Sequence, residues 1–91
     1  MGTIVAFKLM NGDEIIGELV SDDTVSVTLK KPLTVVQTGQ NAIAFIQIMF
    51  AVSEHTLIPY LYSAMATLPV EASAEFSKVY TEKTSGLILG N

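Results

Sequence analysis

The stretch LMNGDEIIGEL at residues 9–19 constrains the fold more than any other, because it sets an Asn-Gly pair between two apolar runs and a second glycine inside the second run. Asn and Gly tolerate the positive backbone angles of a tight hairpin turn, so NGDE at 11–14 predicts a primed turn joining two strands. In the strand that follows, Ile15 and Leu19 share one face and Ile16 and Val20 the other. Gly17 weakens a flat strand at that point and predicts a bend or a close backbone approach.

The same pattern of short strands and tight turns runs through most of the chain. TIVAFKLM at 3–10 sets Val5, Phe7 and Leu9 against Ile4, Ala6, Lys8 and Met10. SDDT at 21–24 is a second turn, and VSVTL after it places Val25, Val27 and Leu29 on a core face. Pro32 predicts a strand edge or junction before a further strand in LTVVQT. GQN turns the chain into a long apolar strand over 42–52, and SEHT leads to a last strand in LIPYLY. Residues 70–83 are richer in Ala, Glu and Lys, and Phe76, Val79 and Tyr80 form an apolar stripe suited to a short helix docked on the strands. Together these elements predict an all-β fold, a small and strongly bent five-stranded barrel over 1–69 with a helix or tail over 70–91. An antiparallel sandwich with a terminal helix is the competing architecture.

Composition bounds the function. Ninety-one residues suit one domain, 1–91, and a second would have too little core. Apolar residues make up 49% and charged residues 15%, so part of the apolar surface is expected to meet another subunit. The formal charge of −4 gives little general attraction to nucleic acid. With no cysteine, disulfides, thiolate metal sites and a cysteine nucleophile are excluded. The opening residues do not suggest a secretory leader, and the eleven-residue run at 42–52 is too short for a membrane helix. A cytoplasmic, non-membrane protein is expected.

FKLMNGDEIIGELVSDDTVSVTL resembles the Sm-like (LSm) family, particularly its small divergent members of the kind carried by marine phages; the resemblance covers roughly residues 5–62. Gly12, Gly17 and Leu19 match the spaced glycines and the following apolar residue of the family's first motif. Asp22 stands at its acidic turn, and Val25 and Ser26 match the residues before the next strand if the loop is one residue shorter. The resemblance implies an SH3-like, Sm-like bent sheet of five strands. It further implies a homo-oligomeric ring of about five to seven subunits assembled through its end strands, with single-stranded RNA bound near the central opening. Members often carry an asparagine near Ser26 and a basic residue before glycine in a second motif, where this chain has FIQIMFAVSEH. The scaffold survives this departure better than a uridine pocket does.

On that reading the RNA contacts fall to Ser26 and Asp22, then to Lys30, Lys31 and Gln47. Ser26 reaches less far than an amide, and Gln47 cannot replace a guanidinium at phosphate. A structural or protein-recruitment ring that has lost the usual RNA pocket is the alternative function. Asp13, Glu14, Glu18, Asp22 and Asp23 do not follow a calcium-loop pattern, and strand geometry spreads them out, so no metal is expected. The Glu54–His55 pair has no nucleophile at a fixed spacing, and Asp22 and Asp23 suit a turn. Phe45, Phe50, Tyr60, Tyr62 and Tyr80 are expected in the core or an interface. Phosphate-loop and dinucleotide-binding patterns are lacking, so neither an enzyme nor a cofactor is expected.

Overall fold

The structure, a computed structural model, describes residues 2–40, 42–49, 51–53 and 55–89, with side chains described as far as Thr84. Its elements are β1 (Ile4–Lys8), β2 (Glu14–Asp22), β3 (Ser26–Gln37), β4 (Ile43–Gln47) and β5 (Leu57–Leu61). A single turn of 3-10 helix at Tyr62–Ala64, β6 (Val70–Glu71) and α1 (Ala74–Leu89) follow. Of the residues singled out in the sequence, Phe50 and Glu54 lie outside those described.

The strands make one six-stranded antiparallel sheet in the order β4-β3-β2-β1-β6, with β5 also paired to β3. The all-β, five-stranded barrel expected from the sequence does not form. Among the described residues the ends of the path, β4 and β6, do not pair with each other, and the fold is a mixed α/β domain with an open sheet and one C-terminal helix. The physical reason lies in β3. It is twelve residues long, and its first half takes β5 while its second half takes β4. The last strand, β6, has two residues and reaches only Val5 and Ala6 of β1.

Two apolar clusters hold the sheet from opposite faces, as the alternation in β1 and β2 requires. Val5, Phe7, Ile15, Val27, Leu29 and Met65 form one, with Tyr60 packed against it. Ile16, Phe45 and Tyr80 form the other, with Ile4, Leu33 and Phe76 at its margin. The helix covers this second face, so the sheet buries both sides without closing. Ser73 starts α1: its hydroxyl accepts from the Phe76 N–H at 3.2 Å, and Glu75 lies in the positive first turn. Phe76 and Tyr80 face the sheet one turn apart, but Val79 of the expected stripe is exposed.

The first hairpin departs from a primed turn. Gly12 has φ of 97° while Asn11 does not enter the positive region, and the Asn11 side chain instead accepts from the Asp13 N–H at 2.9 Å. The Leu9 N–H donates to the Asp13 carbonyl and the Gly12 N–H to the Leu9 carbonyl. This is the pattern of a type I turn closed by a glycine in a bulge. Two other expectations change with the register. Pro32 sits inside β3, not at a strand boundary, and the strand expected over 42–52 ends at Gln47.

Candidate functional site

Gly17 and Pro32 explain each other. Between the pairs Ile16↔Leu33 and Glu18↔Lys30, β3 carries two residues, Lys31 and Pro32, against Gly17 alone. This is a β-bulge, one of the few places where a sheet accepts a proline. A Cβ on Gly17 would stand 3.0 Å from Leu29 Cδ1 and 3.2 Å from Pro32 Cα, so the bulged backbone uses the space a side chain would fill. Lys31 takes up the extra length with φ of 51°, the left-handed region that residues with a Cβ disfavour.

The helix fastens this bulge. Tyr80 is buried, and its hydroxyl donates toward the Lys31 carbonyl at 2.8 Å and the Lys30 carbonyl at 3.0 Å. Lys31 lies in the bulge that interrupts the β2–β3 ladder, and its carbonyl needs a partner when covered. Burial, reinforced by the Glu18 charge, pushes the Tyr80 phenol well above its ordinary value, so it remains a donor.

Docking the helix there leaves a cleft of about 290 Å³ between the bulge, β4, the segment leading to β5, and the C-terminal half of α1. Leu33, Phe45, Ile48 and Ile58 supply apolar walls. Lys31 reaches it from the bulge and Lys83 from the helix, with the hydroxyl residues Ser53, Thr56 and Thr84 around them. Among the described residues, no Asp or Glu lines it.

The structure divides the RNA contacts expected from the sequence into separate places. Asp22 and Ser26 flank the β2–β3 turn, where the Asp23 carboxylate accepts from the main-chain N–H groups of Val25 at 2.8 Å and Ser26 at 2.9 Å. Those N–H groups hold the Asp23 carboxyl below its ordinary value, and the Ser26 hydroxyl lies 3.4 Å from the same oxygen. Lys30 is four residues on, roughly 13 Å along an extended strand, and stands opposite Glu18 in the ladder. Lys31 and Gln47 do meet, as parts of the cleft, where the Gln47 amide donates to the Met49 carbonyl at 2.6 Å. Lys83 had no signal in the sequence, because its place on the cleft that Lys31 also lines depends on where Tyr80 seats the helix.

The other candidates have structural surroundings. Among the described residues no three of His, Cys, Asp or Glu come together in a way that could hold a metal ion. The His55 main-chain N–H donates to the Ser53 hydroxyl at 3.1 Å. Tyr60 packs edge-on against Phe7 with ring centroids 5.2 Å apart, and burial pushes its phenol up to about 12. Among the described residues no helix is long and apolar enough to cross a membrane.

No protein-family model matches the chain, and no curated protein matches it. The Sm-like resemblance therefore rests on the residues quoted for it.

Proposed function

We propose that the chain is a self-assembling, noncovalent binding module, a homo-oligomeric ring of about five to seven copies whose role is structural or protein-recruiting. The observation that carries this reading is the pair of strands laid on β3. Both β4 and β5 pair on one side with β3, and both show large apolar side chains to solvent. Ile43 and Ile46 of β4 are 50% and 45% exposed, and Leu57 and Leu61 of β5 are 46% and 56% exposed. Among the described residues neither strand has a further partner beyond β3, and strand edges left unpaired favour pairing with another chain. Joining the β4 edge of one copy to the β5 edge of the next is a head-to-tail contact, which closes into a ring when the rotation permits.

Light scattering coupled to size exclusion tests the assembly. The wild-type chain is expected to run as a multiple of its 9.8 kDa mass, and Ile46→Asp and Leu61→Asp are each expected to run as folded monomers. A wild-type monomer at high micromolar concentration would sink the proposal.

Single-stranded RNA is the competing ligand, since a ring would repeat Lys30 and Lys31 around its axis. Two observations weigh against it: Asp23 engages the Ser26 main chain, and Glu18 faces Lys30. Titrating the assembled species with uridine-rich, adenine-rich and mixed RNAs at two salt concentrations separates the readings. The recruitment reading expects no saturable binding, whereas salt-sensitive saturation would transfer the assignment to RNA.

A further inference from the structure

We infer that the cleft beside the β3 bulge is a binding site for a small amphipathic anion, a single carboxylate on an apolar body, and this holds whether or not the chain assembles. The argument begins with sign. The chain carries a formal charge of −4, yet the cleft gathers two cations from distant parts of the sequence, Lys31 on β3 and Lys83 on α1, with no acid in its lining among the described residues. A concave, partly apolar wall concentrates the field of such a pair toward a bound anion.

The second step is composition. Leu33, Phe45, Ile48 and Ile58 offer a surface that favours hydrocarbon, while the lysines and the Thr56 hydroxyl supply donors for one polar end; the Thr84 hydroxyl donates to the Tyr80 carbonyl of its own helix. Small-molecule sites have this make-up, apolar walls with a few convergent polar groups. Inorganic phosphate would leave the apolar wall unused, and a neutral hydrocarbon would leave the lysines without a partner.

The third step is size. An apolar cavity of about 150 Å³ accepts a benzene ring. A cleft of about 290 Å³ then takes a ligand of roughly ten to twelve non-hydrogen atoms, the range of a medium-chain or phenyl-substituted fatty acid. The backbone adds a further observation, because Lys31 stands in the left-handed region where a regular strand would not place it. Backbone conformations of this kind concentrate at ligand clamps and active sites.

Calorimetric titration of the full chain with octanoate, octanol and octylammonium, followed in parallel by amide chemical shifts, tests the site. Octanoate is expected to saturate at one molecule per chain, with shifts centred on Leu33, Phe45, Ile58 and Thr84. Octanol is expected to bind at least about five-fold more weakly, and octylammonium more weakly still. Lys31→Met and Lys83→Met each keep the apolar stem and are expected to weaken octanoate about five-fold while leaving octanol affinity unchanged. Should Lys31→Met disturb the fold through its left-handed backbone, Lys83→Met on the exposed helix surface carries the same comparison. Equal affinity for octanoate and octanol, unchanged octanoate affinity in Lys83→Met, shifts centred on the β4 and β5 edges, or no saturation would each overturn the assignment.

Discussion

The two halves of β3 are built on different principles. From Ser26 to Lys30 the strand itself has no extra residue: it runs in regular register with β5, and the irregularity on its other side is an extra residue of β2, Val20. It begins at a turn whose polar groups are satisfied locally by Asp23. From Lys31 to Gln37 it begins with a bulge, pairs with β4, and depends on a helix tens of residues away in sequence to complete its hydrogen bonding. The first half follows from its own residues. The second half is imposed by tertiary structure, and it is the half that borders the cleft. Order that is cheap to specify and order that must be held from outside thus sit on one strand, with the candidate site at the second kind.

The contrast is broken most severely at Gly17. Gly17→Val would drive its side chain into Leu29 and the Pro32 backbone, and is expected to destabilise the domain by about 2–3 kcal/mol. Backbone atoms cannot rotate away as a flexible side chain can. Gly39 is the control: a Cβ there meets only Ala42 Cβ at 3.7 Å, so Gly39→Ala should lie within about 0.5 kcal/mol of wild type. Chemical denaturation of both variants checks the pair. A small effect at Gly17 would mean that the bulge can be ironed out and that the second half of β3 is less constrained than its geometry indicates.

Two tyrosines sharpen the same comparison at lower amplitude. Tyr80 on the helix gives its hydroxyl to the bulge carbonyls, whereas the buried Tyr60 hydroxyl on β5 has no hydrogen-bond partner among the described residues. Tyr80→Phe is expected to cost about 1–2 kcal/mol, because it removes the hydroxyl's bonds to the Lys30 and Lys31 carbonyls and leaves the bulged Lys31 carbonyl covered without that partner. Tyr60→Phe removes an unpaired polar atom while keeping the ring contact with Phe7, and is expected to lie between neutral and about 1 kcal/mol stabilising. Equal losses in the two variants would remove the distinction between a fastened bulge and a self-sufficient half-strand.

The division between local and imposed order also explains what could be read from the sequence. The faces of β1, the turn at Gly12 and the break at Gly17 were legible because each depends on backbone angle or two-residue alternation within a few positions. Pro32 was misplaced at a strand boundary because only the register against Gly17 reveals the bulge that accommodates it. Closure into a barrel was expected because five short strands satisfy that pattern equally well. The pairing of β5 with the first half of β3, and the covering of Ile16 and Phe45 by α1, decided otherwise. The candidate site divided in the same way: the turn at Asp22 and Asp23 was recognisable from its own residues, whereas bringing Lys31 and Lys83 to one cleft required the helix to be in place.

The mildest test falls on the turn itself and is best read through pH. Hydrogen bonds from Val25 and Ser26 stabilise the charged Asp23 carboxylate, so its folded value lies below the ordinary 3.8 that approximates the unfolded chain. For a depressed acid the contribution to stability is present above the unfolded value and is lost as pH falls through the folded one. Asp23→Asn keeps a side-chain oxygen in place but removes the charge, so it should melt below wild type near neutral pH. Other carboxylates change wild type and variant alike, and the difference between the two melting temperatures isolates Asp23. That difference should shrink as pH is lowered from about 6 to about 3 and approach zero once the wild-type carboxyl is protonated. A gap that stays constant across the range would show that the turn is held by the shape of the acceptor and not by its charge. The first half of β3 would then be even less dependent on electrostatics than the hydrogen bonds around Asp23 imply.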